Sequence, residues 1–160
     1  MRLAVVSDTH GQIEYTRQAV RMLESLEVDH IIHCGDIGST SIPPLFAAWP
    51  TDYVVGNVDF DYTQLDAAIR AAGGTFHQEF GSLELEGKRI AFLHSHDAQR
   101  FQQTVSSGEW DLVCYGHTHV AKQHLEGDTL VLNPGALYRA NPHSFALVEL
   151  PSLEVVNIPL

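Results

Sequence analysis

Gly116-His117-Thr118-His119 puts two imidazoles at i and i+2, straight after the apolar run Leu112-Val113-Cys114-Tyr115. In an extended segment, side chains two apart leave on the same side, so both rings enter one space. Imidazoles sharing a space pack poorly but ligate metals well. Taken alone, the pair fits a solvated loop as readily as a metal site. Four other apolar runs end in a similar way. The run at 3–6 leads into Asp8 and His10, that at 30–34 into Asp36, that at 53–55 into Asn57, and that at 88–93 into His94. One Asp or Asn after a strand is ordinary turn chemistry. Five strand ends, each closed by a good nitrogen or oxygen ligand, call for another reason.

These seven side chains exceed what one tetrahedral zinc takes, about four. They suit two ions about 3.5–4 Å apart that share a carboxylate. Asp8, His10 and His119 are assigned to one ion, and Asn57, His94 and His117 to the other, with Asp36 between them. Two carboxylates cancel only part of the charge of two divalent ions. Such a centre stays electropositive, as an anionic phosphoryl group requires. Mixed imidazole and oxygen ligands favour Mn, Fe, Zn or Ni over Mg or Ca.

The elements that must position these residues follow from the apolar pattern. Short, mainly apolar runs at 3–6, 30–34 and 53–55 predict strands, the first apolar enough to be buried on both faces. Ile13, Thr16, Val20, Leu23 and Leu26 share a helical stripe, and Leu65, Ala68, Ile69 and Ala72 another, closed by Gly73-Gly74. A short helix is expected over 41–49, started by Pro43 and Pro44. A hairpin is expected over 82–93 around Gly87, then a polar helix over 97–107 and the strand before Gly116. Beyond Val120 the pattern reads as antiparallel strands, at 120–126, 129–132, 144–150 and 153–158. Helices alternate with strands early and strands dominate late, so the chain is expected to form one α/β layered domain, residues 1–160, with mixed sheets. Sites in such sheets lie beyond the carboxyl ends of the strands, where the seven side chains would converge.

Composition narrows the partners. The 160 residues carry 20 acids against 9 bases, a formal charge of −11, which argues against long nucleic acid. No segment is long enough to span a membrane, and the N-terminal run turns polar too early for a signal peptide, so a cytoplasmic protein is expected. Cys34 and Cys114 each end an apolar run and read as small buried hydrophobes. Of the remaining histidines, His30 and His33 are expected to be hydrogen-bonded within the structure, and His77, His124 and His143 to lie in loops or solvent. Asp59 is expected to orient Asn57 or cap a helix, and Trp49 and Trp110 to pack in the core or at a subunit contact, which leaves a homo-oligomer open.

Asp8-Thr9-His10, Gly35-Asp36, Gly56-Asn57-Val58-Asp59, His94 and Gly116-His117-Thr118-His119 resemble, in order, the motifs of the calcineurin-like metallophosphoesterases, in their small single-domain phosphodiesterase branch. Asn133-Pro134-Gly135 resembles that branch's closing loop. The resemblance implies a four-layer αββα sandwich and the ligand assignment above. It also implies hydrolysis of small phosphodiesters by a hydroxide bridging two divalent transition metals, Mn foremost, with Asn57 helping to hold the substrate oxygens. Two alternatives stand beside it: a phosphatase acting on monoesters, and a non-catalytic scaffold of the kind found in the retromer complex. One position departs from the family. Where many members carry a histidine after the asparagine, this chain has Val58, which can neither bind phosphate nor protonate a leaving group. His96, two residues past His94, and a metal-polarised water are the two substitutes. Arg139 is placed on the surface, within possible reach of a phosphate.

Overall fold

The computed structural model describes residues 1–160. Strands β1 (Arg2–Val6), β2 (His30–His33), β3 (Thr51–Tyr53), β4 (Thr75–Phe76), β10 (Ser144–Glu149) and β11 (Glu154–Pro159) form one sheet, in the order β11-β10-β1-β2-β3-β4. Strands β5 (Phe80–Leu85), β6 (Lys88–Leu93), β7 (Leu112–Tyr115), β8 (Lys122–Glu126) and β9 (Thr129–Asn133) form the other, in the order β5-β6-β7-β9-β8. Both are mixed, with parallel pairing at their centres and antiparallel strands added outside.

Alternation along the strands sorts the core into three packed layers. Ala4, Val6, Ile31, Tyr53 and Val55 face helices α1 (Ile13–Ser25) and α2 (Tyr62–Ala71). Leu3, Val5, Ile32 and Val54 turn the other way and meet Ile90, Phe92, Leu112 and Cys114 of the second sheet. On that sheet's far side Ala91, Leu93, Val113 and Tyr115 pack beneath α3 (Ala98–Ser106), with Val105 and Phe101. Three apolar interfaces, helix on sheet, sheet on sheet and sheet on helix, make four layers, α, β, β, α, the expected architecture. The central strands are buried on both faces, which is why β7 and residues 3–6 of β1 read as unbroken apolar runs, while β2 carries the buried His33.

Several local expectations are corrected. The segment after Val120 is not wholly antiparallel, because β9 pairs parallel to β7 and β8 returns outside it as an edge. Residues 41–49 form only a 3₁₀ turn at Pro43–Phe46. The buried stripe of α1 centres on Thr16, Ala19 and Leu23, leaving Ile13 39% exposed. The third strand ends at Tyr53, two residues earlier than its apolar run, because Val54 and Val55 lead into the site turn. The two-residue β4, absent from the sequence reading, pairs with β3 and lacks any alternation that would announce it. Cys34 and Cys114 are buried and free, as expected.

Candidate metal centre

The site is assembled from turns at the carboxyl ends of β1, β2, β6 and β7 and the turn that follows β3. Each turn is too short to redirect a side chain by ordinary backbone. Asp8, His10, Asp36, His117 and His119 all lie in the left-handed region, with φ of 54°, 45°, 53°, 81° and 60°. Non-glycine residues there cost of order 1 kcal/mol or more each, and such strain gathers at functional sites. Two glycines let the turns close on one another. A Cβ on Gly56 would run into the Asp36 carboxylate, and one on Gly116 into Ser7 Oγ and Asp8 Oδ2.

The seven predicted ligands come together at one rim. Asp8, His10 and His119 offer donor atoms all within 4.8 Å of one another, and so do Asp36, His94 and His117. Asp36 lies between the two groups: its Oδ2 is 3.3 Å from His10 Nε2 and 3.1 Å from His94 Nε2. Asp8 Oδ1 is 3.1 Å from His119 Nε2. Asn57 Oδ1 accepts from His117 Nδ1 at 3.1 Å. Asp8 Oδ1, His10 Nε2 and His94 Nε2 are buried without a hydrogen-bond partner. Three orphaned polar atoms facing one space would be costly in a metal-free core, and they are the lone pairs a cation would take. The residues present therefore fit a divalent-metal centre.

The neighbouring bonds aim these atoms. His94 Nδ1–H donates to the Cys34 carbonyl at 2.8 Å, which turns the Nε2 lone pair into the site. His119 Nδ1–H donates in the same way to the Arg139 carbonyl at 3.2 Å. Asp8 Oδ2, the oxygen facing away, accepts from Ser7 Oγ at 2.6 Å and from His117 N–H at 3.1 Å, leaving Oδ1 free. Asn133 Nδ2 donates to the Gly116 carbonyl and to Thr118 Oγ1, so the Asn-Pro-Gly loop holds the His-x-His turn in place.

Charge follows the same geometry. The carboxylates of Asp36 and Asp8 push His10 up to about 9. Burial pulls His94 down, yet the same two carboxylates outweigh it and leave it raised. Burial would raise Asp36, but the imidazoles of His10 and His94 hold it well below the usual carboxylate range. Burial and the neighbouring His94 push His117 down. The metal-free cluster thus holds protons where a cation would sit, and loading must release them.

Other expectations sort out around this centre. Asp59, 5% exposed, neither orients Asn57 nor caps α2, which Asp61 does; its carboxylate accepts from Ile37, Gly38 and Gly56 N–H at 3.0, 2.8 and 2.9 Å and so ties the Asp36 turn to the Asn57 turn. Burial pushes His33 down to about 3, so it is neutral. Its Nδ1 accepts from Gly35 N–H, and Nε2–H donates to Thr9 Oγ1 at 3.1 Å. His77 is not solvated: with His30 it grips the Asp52 carboxylate, one imidazole on each oxygen. His96 is exposed, its ring 5.6 Å from that of His94. Arg139 lies over the Tyr138 ring, which in turn sits 5.2 Å from the ring of His10. Trp110 packs against the α3 layer and Trp49 against the layer of α1 and α2. The loop of Asn133 was picked out by its resemblance, and its side chain now has a role, but Ser7 and Tyr138 were given no part by sequence reasoning; of these two only Ser7, adjacent to Asp8, had a local signal.

Comparison with known proteins gives the family and the fold. A phosphodiesterase of Methanocaldococcus jannaschii is 28% identical over 138 residues, 84% of this chain and 83% of that protein. The structure of a novel archaeal phosphodiesterase superposes with a TM-score of 0.92 at 26% identity, covering all of both chains. Vps29 of Entamoeba histolytica, solved with zinc, matches with a TM-score of 0.69 over 97% of this chain and 89% of that one; at 16% identity it shows the fold alone. The family description that fits residues 1–152 is the calcineurin-like phosphoesterase superfamily domain. By sequence and by fold, the chain belongs to the calcineurin-like phosphoesterase superfamily.

Proposed function

We propose that this chain, as one domain over residues 1–160, is a metal-dependent phosphodiesterase that hydrolyses small phosphodiesters at a centre of two divalent ions. The observation that carries this reading is the set of buried, unpartnered atoms Asp8 Oδ1, His10 Nε2 and His94 Nε2, flanked by His117 and His119. Asp8, His10 and His119 would hold one ion, Asn57, His94 and His117 the other, with Asp36 shared. The donor set suits Mn first, and also Fe, Zn or Ni. When bound, such ions activate water and neutralise charge building on the phosphoryl oxygens.

The chain's own residues do the remainder. Asp36 and Asp8 keep their charge across the physiological range, as their depressed pKa values require, although burial alone would raise both. The exposed Asn57 amide faces the mouth of the site, where it can hold a substrate oxygen. With Val58 in place of a histidine, proton delivery to the leaving group falls to His96 or to solvent. The net charge of −11 favours a small substrate over long nucleic acid. The arginines near the site are Arg139, stacked on Tyr138, and Arg100, already paired with Glu79, a modest supply for the doubly charged end of a monoester. Likeness to Vps29 extends to the fold and gives the scaffold alternative no further support.

The reading is tested by titrating metal-free protein with Mn²⁺ while following turnover of bis(p-nitrophenyl) phosphate. Two equivalents per chain are expected, with Asp36→Ala losing both and His10→Ala mainly one. Saturation at a single equivalent would overturn the two-ion centre, and full loading without turnover would overturn the phosphodiesterase.

A further inference from the structure

Beside the metal centre lies a second cavity, of about 370 Å³, that none of the ligands lines. That volume falls within the range of small-molecule sites, roughly 300–1,000 Å³. Its walls adjoin the turns that carry the ligands. Val58 N–H donates to Asp36 Oδ1 at 3.1 Å, and Gly38 lies so close to His10 that a Cβ there would come within 2.5 Å of the His10 backbone. Val58 directly follows Asn57 and Gly38 lies two residues past Asp36, so the cavity borders the two turns that carry these ligands.

The lining sets what can bind. Phe60 stands at the cavity 86% exposed, with its aromatic face available. A lone exposed apolar residue is ordinary. This one is held between two anchored neighbours: Asp59, whose carboxylate takes three backbone N–H groups, and Asp61, whose carboxylate takes Gln64 N–H at 3.0 Å. With its backbone fixed, Phe60 has only its two side-chain torsions left to order on stacking. The rest of the wall carries the hydroxyl of Ser39 and the amide of Gln64, which can both donate and accept. The charged groups are two carboxylates, Asp59 and Asp61, with no cation among the lining residues. A second phosphate or a carboxylate would be repelled there.

We propose that this cavity is a substrate subsite for an uncharged planar aromatic group, of the nucleobase class, stacked on Phe60 while its edge meets Ser39 and Gln64. The proposal rests on the phosphodiesterase reading and adds the substrate class: a phosphodiester carrying one neutral nucleoside-like substituent and no further anionic group.

The test compares two diesters with the same leaving group, thymidine 5′-(p-nitrophenyl phosphate) and methyl p-nitrophenyl phosphate, on the Mn²⁺-loaded protein. Both release nitrophenolate, so their kcat/KM ratio reports the other substituent. Wild type is expected to favour the thymidine ester by ~10-fold, the low end of what base stacking on an aromatic ring supplies, through KM. Phe60→Ala and Phe60→Leu should erase most of that ratio, and Phe60→Trp should keep it. An exposed position makes misfolding of these variants unexpected. A wild-type ratio near one, or a ratio the Phe60 variants leave unchanged, would overturn the subsite and leave the phosphodiesterase standing. Equal loss on both esters together with a changed sedimentation coefficient would make Phe60 an interface residue and overturn the subsite too. Turnover of neither ester by fully loaded wild type would remove the phosphodiesterase reading itself, and the subsite with it.

Discussion

The molecule contains two clusters built from the same residue types, and they differ in what their atoms still need. At the carboxyl-end rim, Asp8, Asp36 and the histidines around them leave Asp8 Oδ1, His10 Nε2 and His94 Nε2 unpartnered. At the other, Asp52 on β3 is held by His30 at 2.6 Å and by His77, and both carboxylate oxygens are taken. The first cluster is open and the second closed. Residue type does not separate a metal centre from a structural network. Unmet bonding capacity at convergent, strained turns does.

The comparison is sharpest in a pair of isosteric substitutions. Asp36→Asn should lower activity by ~10³-fold or more, because in the proposed two-ion centre both ions would lose a shared anionic ligand worth several kcal/mol in the transition state. Asp52→Asn should keep its metal content and its turnover. Metal analysis and kcat/KM on an aryl diester would check both. If the two variants lose metal alike, the distinction between open and closed fails.

A smaller effect is expected where the site is supported at one remove. Asp59→Ala unties the Asp36 turn from the Asn57 turn without removing a ligand. Metal affinity should fall by ~10–100-fold, the usual cost of losing an outer-shell partner. A competitive chelator titration would measure it. His96→Ala belongs on the same scale. If His96 is the proton donor, alkyl diesters should slow by roughly 10²-fold and nitrophenyl diesters should not. Equal slowing of both would assign it to substrate binding instead.

The closed cluster should show itself in stability. Asp52→Asn leaves one imidazole without its carboxylate, at a cost of about 1–3 kcal/mol, read from urea unfolding. Burial opposes ionisation of Asp52, but the bonds from His30 and His77 outweigh it and lower its pKa. Its contribution is therefore whole above the ordinary aspartate value of 3.8 and fades as the pH falls below it. The open cluster should behave in the opposite sense when metal-free. With His10 raised to about 9, its contribution is complete below 6.5 and disappears as the pH rises through about 9. The urea midpoint of metal-free protein should decline across that window, less so in His10→Gln. A flat profile for both proteins would show that the His10 proton does not hold the empty site together.

Much of this was legible in the chain. The apolar runs announced β1 and β7 because strands buried on both faces favour apolar side chains, and β2 was legible through Ile31, Ile32 and Cys34 despite its two histidines. The strand-end ligands announced the site because turns after parallel strands converge, whatever the loops between them do. The motif order led to the family, and the α1 and α2 stripes led to the helical layer.

What remained hidden depended on partners distant in sequence. β4 is two residues long and exists only because β3 offers it an edge. Whether β9 runs parallel or antiparallel to β7 is decided by packing between the sheets, since the alternation of an isolated strand is the same in either direction. His94 was marked by its place at a strand end, but nothing in the sequence marked His77, which closes on Asp52, because tertiary structure alone determines which hydrogen-bond acceptors a ring meets. Asp59 was read as a local residue, yet its bonds reach 22 positions back along the chain. Residue types and their order determined the chemistry available to this protein. The fold decided which of those groups were left unsatisfied, because bonding capacity is used up by neighbours in space.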